Sequence, residues 1–105
     1  MPAATPAAMP DRTFVLTLHC PNRPGIVAAV SRYLFEHGAN ILDAQQYDDT
    51  ETDRFFMRVV YNRVEGAAEP AAITAGFAPL AASFAMTWSI RARSEERRVD
   101  RKSVV

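Results

Sequence analysis

The sequence predicts an α+β domain, a four-stranded antiparallel sheet carrying two helices on one face. Three observations point there. The hydrophobic period alternates between two and about 3.6 residues, and each change falls at a turn or breaker residue. The elements so marked run strand, helix, strand, strand, helix, strand. The chain has 105 residues, which is one domain at most. Hydrophobic residues make up 49%, but 18 are Ala, so large apolar side chains are few and the core must be compact.

Thr13 to Cys20 alternates Phe14, Leu16, Leu18 and Cys20 against Val15, Thr17 and His19, a half-buried strand that Pro21 stops. Pro24 then stands where proline suits the first turn of a helix. Ile26, Val27, Val30 and Leu34 recur at helical spacing until Gly38 offers a left-handed cap, so the first helix covers about 24–37. Asn40 to Tyr47 reads as the second strand, and Asp48 to Asp53 as a polar hairpin loop. Arg54 to Asn62 sets Phe55, Met57, Val59 and Tyr61 against Phe56, Arg58 and Val60 as the third strand.

Residues 67–83 are Ala-rich, with Ile73, Phe77 and Leu80 near helical spacing, and Pro79 is expected to kink or shorten that helix. Phe84, Met86, Trp88 and Ile90 alternate as the fourth strand. This order is the ferredoxin-like βαββαβ arrangement, in which right-handed crossovers place strands one and three in the centre. Phe14, Leu16, Leu18, Phe55, Met57 and Val59 then meet the helices. Val15, Phe56 and Val60 leave the other face partly apolar, an incentive to cover it or to pair a sheet edge with another copy.

The first eleven residues carry three prolines and neither the basic start nor the apolar run of a secretory signal, so they read as a disordered lead-in. Residues 12–92 form the folded body. Residues 93–105 continue a stretch rich in both basic and acidic side chains that cannot bury itself and reads as a linker.

Composition excludes several classes of function. Twelve basic residues balance twelve acidic ones, which opposes a nucleic-acid binder. The alternative of a base-stacking sheet face, built on Phe56 and Arg58, meets the same objection and the acidic hairpin. No run of 18 apolar residues is present, so no membrane partner is expected. One Cys and two His offer no intramolecular disulfide and no zinc spacing, and the whole reads as cytoplasmic.

No catalytic constellation emerges, and no metal or cofactor is expected. His19 and Cys20 are adjacent in a strand, so they point to opposite faces and cannot act as base and nucleophile. Cys20 reads as a small core residue and His37 as a helix C-terminal partner of the dipole. Asp48, Asp49, Glu51 and Asp53 lack the Gly and closing Glu of a calcium loop. The informative group is Asn22, Arg23, Pro24, Gly25 and Ile26, with Asn40 and Ile41 after the helix. A glycine at a strand-to-helix turn exposes helix N-terminal amides and removes the side chain that would shield them, which suits a carboxylate. Asn40 could add an amide with donor and acceptor capacity. Turn chemistry alone also accounts for each of these residues.

The run CPNRPGIVAAVSRYLFEHGANI, from Cys20 to Ile41, resembles the opening of ACT domains. RFFMRVVY from Arg54 and FAPLAASFAMTWSI from Phe77 are similar to the N-terminal ACT domain of bacterial formyltetrahydrofolate deformylases, over roughly residues 12–95. The resemblance implies a regulatory domain that senses an amino acid, glycine or methionine being the candidates, and that pairs as a homodimer, often edge to edge with effectors at the interface. By position, Asn22, Arg23, Pro24, Gly25, Ile26, Asn40 and Ile41 would hold the effector.

The implied parent reaction hydrolyses 10-formyltetrahydrofolate to tetrahydrofolate and formate, supplying formate for purine synthesis. It belongs to a C-terminal formyltransferase-like domain not represented here, so no residue inherits a catalytic role, and the chain is expected to be a truncated deformylase or an excised regulatory domain. Asp53 stands where a small turn residue such as Gly is commoner. A free-standing ACT regulator and a purely structural dimerisation module are the alternatives.

Overall fold

The computed structural model describes residues 13–94. The expected lead-in, and all of the expected linker beyond Ser94, lie outside the described residues. Six elements follow in the expected order: β1 (Thr13–Pro21), α1 (Ile26–Glu36), β2 (Ala39–Asp49), β3 (Arg54–Arg63), α2 (Pro70–Ser83) and β4 (Thr87–Ala92). The sheet order is β2-β3-β1-β4, antiparallel throughout, with β1 and β3 in the centre. This is the ferredoxin-like fold.

Register explains why one face is the core. Phe14 faces Tyr61, Leu16 faces Val59, Leu18 faces Met57 and Cys20 faces Phe55, so the alternating apolar sets of both middle strands lie on one side. Ile26, Val30 and Leu34 from α1, and Ile73, Phe77 and Ala81 from α2, close over them. Both helices therefore cover the same face. Phe77 meets Trp88 edge to face at 4.9 Å, which ties α2 to β4. On the other face Val15 and Val60 pair across the two middle strands and are each only 2% exposed, so they leave less apolar surface than expected.

Strand β2 continues through Asp48 and Asp49, expected in the hairpin loop, because both pair with β3 opposite Phe55 and Arg54. The starts of three other elements also differ from expectation. Helix α1 starts at Ile26, because Gly25 adopts φ 91, a left-handed conformation that no helical residue shares, and Pro24 therefore precedes the helix. Helix α2 starts at Pro70 and runs unbroken through Pro79 to Ser83. Pro79 forfeits only the amide that would bond the carbonyl of Ala75, while buried Phe77 and Ala81 on either side hold the helix to the sheet.

Strand β4 starts at Thr87, because Phe84 to Met86 form the exit turn of α2. The amide of Met86 donates to the carbonyl of Ala81 at 2.9 Å and that of Ala85 to Ala82 at 3.1 Å, with Ala85 at φ 56. That pair of bonds around a left-handed residue is the Schellman ending of a helix.

Candidate functional site: the β1–α1 turn

The chain leaves β1 at Pro21 and enters α1 through Asn22, Arg23, Pro24 and Gly25. A side chain at Gly25 would meet nothing within 4 Å, so the approach to the helix start is open. No side chain caps α1. The carbonyl of Gly25 accepts from Ala29 at 3.0 Å, the first helical bond, which leaves the amides of Ile26, Val27 and Ala28 without helical acceptors. Three parallel N–H groups at the positive end of the helix dipole suit a carboxylate.

Two residues, Asn22 and Arg23, hold the turn in place. The amide of Asn22 donates to the carbonyl of Asp53 at 3.0 Å, joining the turn to the tip of the β2–β3 hairpin. The guanidinium of Arg23 lies 4.8 Å from the ring centroid of Phe84 and donates to the carbonyl of Ser83 at 3.4 Å. Arg23 thus braces the turn against the end of α2. Ile26 is 2% exposed, so its side chain serves the core and only its amide faces the turn.

Asn40 and Ile41 stand elsewhere. Asn40 pairs with Asn62, and Asn62 pairs with Thr13 at the far end of β1, whereas the turn follows Pro21. Eight residues of strand, roughly 26 Å, separate the two levels. One chain therefore brings Asn22 to Ile26 together and does not bring Asn40 and Ile41 to them. Asn62 Oδ1, beside Asn40, is buried and has no hydrogen-bond partner.

The other candidates resolve as structure. Cys20 is buried in the core, where burial pushes its thiol up, partly opposed by Arg54 and Arg23. His37 follows the last residue of α1, and its Nδ1 lies 2.8 Å from the carbonyl of Tyr33; a carbonyl only accepts, so Nδ1 carries the proton. Its ring stacks on Tyr33 at 4.0 Å. Asp49 accepts from the amide of Glu51 at 3.1 Å and the hydroxyl of Thr52 at 2.9 Å, which closes the hairpin turn. Among the described residues no group of three or more His, Cys, Asp or Glu side chains gathers as a metal site, and no helix is long and apolar enough to cross a membrane.

Sequence reasoning marked the open sheet face through Phe56 but missed the groove of about 550 Å³ that His19, Phe56 and Tyr47 line on it. The signal was present in the alternation of β1 and β3, but the register that aligns the three rings is a long-range property.

The sequence pattern of the ACT domain family matches residues 14–69. The formyltetrahydrofolate deformylase of Bacillus subtilis (strain 168) is 46% identical over 85 residues, covering 80% of this chain and 28% of that protein. That of Corynebacterium sp. (strain P-1) is 38% identical over 85 residues, covering 81% of this chain and 30% of that one. The crystal structure of formyltetrahydrofolate deformylase from Burkholderia mallei ATCC 23344 superposes with a TM-score of 0.73 at 36% identity, covering 77% of this chain and 28% of that chain. The chain spans less than a third of the length of these relatives.

Proposed function

The chain belongs to the ACT domain family, and on that premise we propose that it is the regulatory, amino-acid-sensing and dimerising part of a formyltetrahydrofolate deformylase. The parent reaction is hydrolysis of 10-formyltetrahydrofolate to tetrahydrofolate and formate, with formate going to purine synthesis in the cytoplasm. The relatives' names support the parent, and their greater length leaves room for the catalytic part.

One observation carries the effector reading: the open, uncapped start of α1 at Gly25, inside the stretch that matches the family. An amino acid places its carboxylate on the amides of Ile26 to Ala28, and Asn22 is the nearest uncharged polar side chain in the sequence of the turn. Glycine and methionine are the candidate effectors.

Placing Asn40 and Ile41 at the same site requires a second copy. Strand β2 is an exposed sheet edge, paired among the described residues only with β3. Antiparallel two-fold pairing along β2 sets the start of one strand beside the end of the other, and so carries the partner subunit's Asn40 to the end of the sheet that holds the turn. Effector binding and dimerisation are then one event.

Thermal unfolding of the 105-residue chain across a panel of free amino acids, with its mass in solution, tests this. Selective binding to the folded dimer raises Tm saturably with glycine or methionine, and Gly25→Val abolishes the rise. A stable dimer whose Tm no amino acid moves overturns the sensing role and leaves a dimerisation module.

A further inference from the structure

The sheet face turned away from the helices carries chemistry that neither the fold nor the effector turn uses. His19, Phe56 and Tyr47 are direct cross-strand neighbours on β1, β3 and β2. Their rings form a row, His19 to Phe56 at 5.5 Å and Phe56 to Tyr47 at 6.3 Å between centroids. Phe56 is 38% and Tyr47 64% exposed, so this row is not core. It floors the groove of about 550 Å³, a volume suited to a small molecule.

Polar groups converge on the same groove. A nitrogen of the Arg54 guanidinium lies 2.8 Å from His19 Nδ1. Guanidinium nitrogens only donate, so Nδ1 accepts, and the neutral ring carries its proton on Nε2 as a further donor. Thr17 Oγ1 and Ser89 Oγ lie 3.1 Å apart across β1 and β4. That bond uses one of their two hydroxyl protons and leaves the other to donate elsewhere. Gln45, level with Arg58 on β2, adds an amide, and Arg54 and Arg58 bring two guanidinium groups to this face, which they share with Asp49, level with Arg54, and Asp43, level with Val60.

We propose that this groove is a second, separate ligand site, for a flat heteroaromatic anion. The ligand ring stacks on Phe56 and Tyr47, its acceptor atoms take the His19 Nε2–H and the hydroxyl proton, and its anionic group faces the arginines. The balanced total charge of the chain gives a polymeric phosphate backbone little to hold, so the ligand is a single small unit. A pteridine carboxylate and a purine nucleotide share this chemistry.

Titration of the full chain with pterin-6-carboxylate, and separately with inosine monophosphate, followed by amide NMR and calorimetry, tests the site. We expect saturable binding by at least one probe, with the largest shifts at Thr17–His19, Gln45–Tyr47 and Phe56–Arg58. Phe56→Leu keeps apolar bulk without a ring and weakens binding about tenfold; His19→Ala weakens it as well, and Gly25→Ala leaves it unchanged. Binding by one probe alone identifies the source as pteridine or purine. Failure of both probes to saturate, or binding that Phe56→Leu does not weaken, overturns the proposal without touching the effector turn.

Discussion

The backbone amide of Asn22 donates to the carbonyl of Asp53 at 3.0 Å, so the turn before α1 is held by the hairpin tip, 31 residues further along the chain. Asp53 adopts φ 58, a left-handed conformation that carries a penalty for residues with a side chain. Since the bond uses only backbone atoms, Asp53→Gly keeps it and relieves the strain. Part of the gain is offset by the greater freedom of glycine in the unfolded chain. A net stabilisation of roughly 0.5 kcal/mol, a rise in Tm of about 2–4 °C, is expected in a thermal scan.

Ala85 has the same difficulty at φ 56 and no polar side chain to ease it. Glycine is the usual residue at this position of a Schellman ending. Ala85→Gly is expected to stabilise by about 1 kcal/mol, measured as a higher midpoint in urea with an unchanged slope.

Gly25 and Gly38 also sit at positive φ, but in different surroundings. Gly25 at φ 91 has open space around it, so Gly25→Ala loses only the backbone freedom, about 1–2 kcal/mol. At Gly38, φ 84, a Cβ would lie 2.5 Å from the Cβ and 2.6 Å from the Cα of Ala67. Gly38→Ala must therefore displace the chain between β3 and α2, and roughly 3 kcal/mol or more is expected. Equal midpoints for the two variants in denaturant would contradict this contrast.

Stability falls at high pH. Burial, with Tyr33 nearby, pushes the Tyr61 phenol up to about 12, against some lowering by Arg63. Burial also raises Tyr33, whose hydroxyl donates to the carbonyl of Ile73 at 2.7 Å. A folded-state pKa above the unfolded one means that the unfolded chain loses its proton first. The contribution is thus whole below about pH 10 and disappears as pH rises toward about 12, roughly 2–3 kcal/mol for Tyr61. Tm measured across that window is expected to drop, and Tyr61→Phe to flatten the drop.

Cys20 is fully buried, and its raised thiol is protonated at neutral pH. A thiol reagent is expected to label the native chain at least about 100-fold more slowly than the chain in denaturant. Labelling at the unfolded rate would show that the β1 face of the core opens freely.

Local patterning made the fold legible. The alternation of Phe14 to Cys20 and of Arg54 to Tyr61 named the core face residue by residue, and Gly38 marked the end of α1. The start of β4 was hidden because the α2 ending uses Ala85 where glycine would have signalled it, and Phe84 and Met86 fit a strand pattern as well as a helix exit. Of the candidate site, the glycine turn could be read directly. The brace of Arg23 on Phe84 and the Arg54 bond to His19 depend on partners 61 and 35 residues away, which no local period encodes.

Strand β2 has a further consequence. Past the register shift between Ile41 and Asp43, pairing with β3 engages the carbonyl and amide of alternate residues, while those between them point outward from the sheet. The two sets of amides therefore trade hydrogen with solvent under separate control, one by opening of the domain and the other by whatever lies along its rim. Hydrogen exchange read position by position over Asp43–Asp49 becomes a two-channel recorder, in which every second amide clocks unfolding and its neighbours clock association.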